Sequence, residues 1–428
     1  MHNRAKFRLL AASIILSIVC LSVSACSLGE EKQKDVHLKI MYWDTDSFNK
    51  RFGDRFTKEN PNITVEAVSM QQLLQSSNPN ELNNLIEQQS PDILLLSDQV
   101  YGQMALDNRL LDLEPLMSED GYALDGWNDS IVQELRAQGD GRLLGLAPTF
   151  RSKALYYNRK LFEQAGIPIP RDQMTWEETF QLAGRFGGSN NGLYGLYEPD
   201  FAFGQPYRLF SDIGRTQGLT AIQPSQRTVT LSSPQWLSIA NLLHTAVQKK
   251  ALYMGNGDSN GRDNLFLQGK ATMALDGDYL LEQIKNNPDV AGDIGLVTVP
   301  VDSAHADSTP YIFFDSIYAI NANSEHAPEA WKLIRYITET TMKESSAMLA
   351  GLPAIMPAEA GDSNSLEAFY KLQPIRSGSQ RNAISPMLLN AFNQLANSKL
   401  SDIVSGKTEA EEGLLALSQE GQLLLQNK

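Results

Sequence analysis

The chain has 428 residues, 42% of them hydrophobic and 20% charged, with a formal net charge of −14. That length exceeds what one hydrophobic core usually holds, and the composition is that of folded chains. The acidic balance argues against nucleic acid as a partner, because phosphate binding needs a basic face. The two cysteines, Cys20 and Cys26, both lie at the amino end, so the body has no disulfide, thiolate metal site or cysteine nucleophile.

Arg4, Lys6 and Arg8 precede an apolar run from Leu9 to Leu21, broken only by Ser13 and Ser17. The run is shorter than the roughly 20 residues a membrane span needs and fits the apolar region of a signal peptide. Val23-Ser24-Ala25-Cys26 resembles a bacterial lipobox, which predicts cleavage after Ala25 and lipidation of Cys26; plain cleavage after Ala25 is the alternative. Residues 26–35 then read as a polar tether.

Val36 to Tyr42 alternates and then turns apolar, as a strand does. Phe48, Phe52 and Phe56 recur every four residues and predict an amphipathic helix. Asn60-Pro61-Asn62 stops it, and Ile63 to Val68 alternates again. Strand, helix, strand implies parallel pairing. Pro91 to Leu96 is a continuous apolar run, as in a parallel strand buried on both faces, and Ser97 to Gly102 reads as the loop after it. Leu146 to Asn158 is a further extended, mostly apolar segment, interrupted by Arg151 and Lys153. Thr175 and Glu178 form a capping box that opens a helix closed by Gly187-Gly188. Ser324 and Pro328 start another helix, with Ala330, Leu333, Ile334 and Ile337 as its buried stripe. Thr408 to Leu425 is a terminal helix carrying Leu414, Leu415, Leu417 and Leu423 to Leu425. The elements alternate throughout, so the fold class is α/β, with two lobes.

Their order carries a resemblance. "KIMYWDTDSFNKRFGDRFTKENPNITVEAV", "PDILLLSD", "NRLLDLEPLM", "YYNRKLFEQAGIPIP" with "TWEE", "GKATMALDGDY" and "GLPAIMPA" follow one another across the whole mature chain. Each stretch is weak alone; the collinear order resembles the extracellular solute-binding proteins of carbohydrate ABC importers, of the maltose-binding type. The resemblance implies a type II-like periplasmic-binding-protein fold: two sheets flanked by helices, a hinge of several crossing segments, and a solute held between the lobes. It places the first crossing at Pro148 to Ser152, the second near Pro310 to Phe314 and a third after Ile337. The expected division is 1–25 signal peptide, 26–35 tether, 36–148 with 315–345 as the first lobe, and 149–314 with 346–428 as the second.

A sugar site needs aromatic faces and planar polar groups that make paired hydrogen bonds. In open parallel sheets such groups sit beyond the carboxyl ends of strands. Trp43, Asp44 and Asp46 meet that description, with core packing of Trp43 and helix capping by an aspartate as alternatives. Asp98 and Gln99 follow the buried strand. Asp276, Asp278 and Tyr279 match the block in which the family stacks an aromatic on its ligand. Gln205 and Tyr207 loosely match a second-lobe ligand loop, and Phe313 and Asp315 lie at the second crossing. At Arg151 the family can carry an acidic sugar contact, so the reversed sign raises the expectation of an anionic sugar such as a uronate. A pair between Arg151 and Asp315 is the competing reading.

Other chemistries do not assemble. Asn256 to Gly261 begins like a calcium loop, but Leu267 stands where the bidentate glutamate belongs, and the same stretch fails the dinucleotide spacing. The five histidines are scattered. The expectation is therefore a monomeric receptor, not an enzyme, with no cofactor or metal. It would be extracytoplasmic and held at the cell membrane by lipidated Cys26, passing a sugar or oligosaccharide to ABC permease subunits. A secreted glycoside hydrolase, or a receptor of the same fold serving a non-sugar solute or a sensor kinase, are the alternatives.

Overall fold

The computed structural model describes residues 34–75, 80–187, 192–255, 264–287, 292–343, 351–356, 366–375 and 384–426. The leader with Cys26 and the Asn256 to Gly261 stretch lie outside them. The main strands in chain order are β1 (Val36–Tyr42), β2 (Ile63–Ser69), β3 (Ile93–Leu96), β4 (Gly145–Leu146), β5 (Thr149–Phe150), β6 (Lys153–Asn158), β7 (Tyr194–Tyr197), β8 (Ala271–Gly277), β9 (Ile294–Val297), β10 (Ile317–Ile320) and β11 (Leu352–Pro353).

Nine of them form two separate sheets, one for each lobe, and β5 and β11 pair with each other. The first has the order β2-β1-β3-β10-β4. β1 and β2 pair in parallel from Val36↔Ile63 to Tyr42↔Ser69, and β3 joins β1 in parallel at Ile40↔Ile93. All four residues of β3 are buried, as its unbroken apolar run requires. β10 arrives from the second crossing and pairs antiparallel to both β3 and β4, so the sheet is mixed. The second sheet has the order β9-β6-β8-β7, with β6 antiparallel to both neighbours and β8 parallel to β7.

Phe48, Phe52 and Phe56 are all buried beneath the first sheet, against Tyr42 and Tyr336. Their helix is not uniform: Thr45–Phe48 and Asp54–Glu59 are α-helical, and Asn49–Gly53 between them is π-helical. A spacing of four drifts around a 3.6-residue turn, and the wider π turn takes that drift back, keeping three rings on one side. Each ring buried this way stabilises the lobe by about 2–3 kcal/mol. The capping box at Thr175 forms reciprocally: Glu178 N donates to Thr175 Oγ1 at 3.1 Å and Thr175 N to Glu178 Oε2 at 2.9 Å. The stripe Ala330, Leu333, Ile334 and Ile337 is wholly buried in the helix Ala327–Lys343. In the terminal helix Ala410–Gln426, Leu414, Leu417 and Leu425 dock, whereas Leu415 and Leu423 face solvent.

The crossing segments meet. β5 pairs with β11 through Phe150↔Leu352, and Arg151 exchanges backbone hydrogen bonds with Phe313 at 2.8 and 3.2 Å. Among the described residues no helix is long and apolar enough to cross a membrane, and no group of His, Cys, Asp and Glu could hold a metal ion.

Candidate functional site

A cleft of about 870 Å³ is lined from three directions. Asp98, Gln99, Gln103 and Gln138 come from the first sheet's side, Arg208, Arg215 and Thr220 from the second, and Pro310, Ile312 and Phe313 from the crossing segment. Asp98 and Gln99 are not in a loop, as expected, but in the first turn of the helix Asp98–Leu106, which begins at once after β3. Asp98 is held by its own network. Its Oδ2 accepts the Phe314 backbone N–H at 2.8 Å and its Oδ1 the Gln138 amide at 3.1 Å. Burial pushes its carboxyl up to about 6, the Phe314 and Gln138 hydrogen bonds only partly opposing it.

Arg151 sits on the far side of the Phe313 bridge and is clamped by two carboxylates. Its Nη1 lies 2.7 Å from Asp278 Oδ2 and its Nε 2.9 Å from Asp315 Oδ2. Asp278 also accepts from Ser152 N, and its own N–H donates to Ser152 O at 3.0 Å. One guanidinium thus ties the first crossing, the end of β8 and the second crossing together. The pair with Asp315 forms, and Asp278 adds a second partner. The charge that suggested an anionic sugar is already compensated, and the cluster as a whole is acidic.

Lys153 lies two residues on and is also paired. Its Nζ is 2.8 Å from Glu198 Oε1 and 5.0 Å from the centre of the Tyr311 ring. Glu198, with 1% of its side chain exposed, uses Oε2 to accept the Phe201 N–H at 2.8 Å, capping the short helix Pro199–Ala202. Glu198 was not singled out from the sequence. The available signal was its place directly after β7, followed by proline.

A second, smaller pocket of about 270 Å³ lies in the second lobe, lined by Asp276, Tyr279, Tyr197 and Phe203 among others. Asp276 Oδ1 accepts the Gly277 N–H at 2.8 Å and the Tyr279 hydroxyl. Burial pushes this carboxyl up to about 6, the Tyr279 hydrogen bond being the strongest opposing influence. The Tyr279 ring is 51% exposed, as a stacking platform must be.

The remaining candidates lie outside both cavities. Trp43 is 40% exposed beyond β1. Asp44 caps the helix Thr45–Phe48 by accepting the Ser47 N–H at 2.8 Å, and Asp46 is exposed in its first turn. Gln205 is exposed at the start of the helix Pro206–Thr216. Tyr207 packs edge-on against Phe392, and its N–H donates to Asn397.

Known proteins share this architecture. A Brucella abortus protein named as a binding protein is 29% identical over 259 residues, which span 58% of this chain and 59% of the relative. The sugar-binding protein MalE of Xanthomonas citri superposes with a TM-score of 0.69 at 17% identity, covering 91% of this chain and 97% of that one. The Listeria monocytogenes ABC substrate-binding protein Lmo0181, solved with cycloalternan, superposes with a TM-score of 0.60 at 16% identity, covering 92% and 100%. Residues 44–344 match the bacterial extracellular solute-binding proteins, and the chain belongs to that family.

Proposed function

We propose that this chain captures a sugar or oligosaccharide between its two lobes and delivers it to the permease of an ABC importer. The cleft of about 870 Å³ carries the reading: amides, carboxylates, arginines and an exposed ring converge on it from both lobes and the hinge. That volume lies in the range of small-molecule sites. The Gln99 amide suits a hydroxyl pair, the amide nitrogens of Gln103 and Gln138 already donating to Asp107 and to Asp98 and Glu134, and Phe313 supplies an apolar face. The sugar-binding neighbour and the cycloalternan complex support the ligand class. With Arg151 compensated by two carboxylates, a neutral saccharide is favoured over a uronate. Capture needs no chemistry; the ligand shifts a hinge equilibrium towards closure.

In this reading 36–148 with 315–345 forms one lobe and 149–314 with 346–428 the other, and the protein works as an extracytoplasmic monomer tethered through lipidated Cys26. Thermal unfolding of residues 34–428 against a panel of neutral saccharides, polyols and uronates tests it. A ligand at about 100 times its Kd adds about 2.7 kcal/mol to the folded state. A rise in Tm with neutral saccharides is expected; no shift with any of them, or sustained cleavage of a glycan, overturns the proposal.

A further inference from the structure

The pocket behind Tyr279 has a chemistry that the interlobe cleft does not share. Asp276 is 1% exposed at the end of β8, and its Oδ1 is occupied by Gly277 N–H and the Tyr279 hydroxyl. Its Oδ2 has no hydrogen-bond partner among the described residues. A buried carboxylate oxygen without a donor is costly, so the site is short of a donor, and a cationic one would serve best. The pocket wall supplies Tyr197, Phe203 and Tyr279 as aromatic surfaces and Gln268 and Gln283 as amides. Among the described residues no lysine or arginine lines it. Lys153, the cation that acts on Asp276, is committed to Glu198 at 2.8 Å. Burial above all, and after it the charges of Asp276, Glu198 and Asp200, push the Tyr197 hydroxyl up to about 12.

We infer that this pocket takes a protonated amino group carried on a single sugar ring. The ammonium would donate to Asp276 Oδ2, the strong charge-assisted geometry, with the aromatic faces adding cation–π attraction. Tyr279 stacks on the ring, and the amides of Gln268 and Gln283 meet its hydroxyls. A volume of about 270 Å³ limits the pocket to one ring, since larger ligands occupy sites of roughly 300–1,000 Å³. The pocket shares no lining residue with the interlobe cleft, so it would be a second saccharide site on the receptor proposed above, and the inference rests on that reading.

Calorimetric titration of the protein with glucosamine, glucose and N-acetylglucosamine tests the inference, because acetylation removes the charge and keeps the ring. At about pH 7.5 glucosamine should bind about tenfold more tightly than either neutral sugar, the scale of one charge-assisted hydrogen bond. That advantage should shrink towards about pH 5, where Asp276, pushed up to about 6, takes a proton. Asp276→Asn, which keeps an acceptor for the Gly277 N–H, should abolish it. Equal affinity for glucosamine and glucose on the unaltered protein overturns the inference without any variant, and so does an advantage that survives Asp276→Asn. If neutral sugars bind and glucosamine gains nothing, only the amine assignment falls; if none of the three sugars and no saccharide of the wider panel binds, the receptor reading falls with it.

Discussion

Replacing Lys153 with methionine isolates the energetics of the charges packed behind the hinge. Lys153 is 14% exposed and Glu198 1%, and they meet at 2.8 Å. Asp212 and Asp276, both buried, are also stabilised as anions by the Lys153 ammonium, although burial still holds each at about 6. One ammonium therefore serves three carboxylates. Methionine keeps most of the side-chain volume, so the change removes charge with little loss of packing. Among the described residues Glu198 would be left with the Phe201 N–H alone, and breaking a buried pair in this way costs about 3–5 kcal/mol. Urea unfolding followed by the fluorescence of Trp176 and Trp236, both 1% exposed in the second lobe, reads the loss. It should be largest near pH 7.5. Without the cation the folded-state pKa values of Asp212 and Asp276 rise further, and a raised acid pKa costs stability above the unfolded value, a cost that vanishes as pH falls. Adding Glu198→Gln should restore much of the stability. A loss below about 1 kcal/mol, the scale of an exposed pair, or an equal loss at about pH 5, would refute the reasoning.

Other perturbations follow the same physics. Asp98 is raised from 3.8 to about 6, so its effect on stability is most favourable below about pH 4 and declines as pH rises through 6; the shift amounts to about 3 kcal/mol. Asp98→Asn should flatten part of the fall in Tm across that window, and an unchanged pH profile would count against the assignment. Arg151→Ala strands Asp278, whose side chain is 9% exposed, and should destabilise by about 2–4 kcal/mol. Arg151→Lys should recover little, since one point charge does not reproduce the fork that holds two carboxylates; full recovery in the same melts would refute the clamp. A Cβ on Gly277 would lie 2.5 and 2.7 Å from carbons of the Tyr279 ring. The ring is half exposed and anchored by its hydroxyl to Asp276, so a methyl that pushes it aside in Gly277→Ala should weaken saccharide binding by about tenfold, the upper range of an aromatic contact. Its Tm should stay within about 3 °C, and a much larger drop would show that the ring is structural.

Much of the fold was legible because it depends on short-range pattern. The alternation in β1 and β2, the unbroken apolar run of β3, the capping box at Thr175 and the stripe from Ala330 to Ile337 all stand where period and cap chemistry put them. The π turn inside the phenylalanine helix was not legible, since a spacing of four is compatible with either winding. Nor was the start of a helix at Asp98, because Ser97 to Gly102 carries the residues of both a loop and a first turn.

The class of the protein is legible in the collinear order of its strands, helices and motif stretches. How its charges are shared is not, and follows from the way the chain folds back on itself. Arg151 and Lys153 lie two residues apart, and nothing local says which carboxylates they meet. Asp278 is 127 residues from Arg151, Asp315 is 164, and Glu198 is 45 residues from Lys153. Pairings at such separations follow from which strands cross at the hinge and in which register, Gly277 opposite Lys153 and Arg151 opposite Phe313. Among the described residues the same register leaves Asp276 Oδ2 without a donor, because a buried carboxylate is satisfied only by what the fold brings to it.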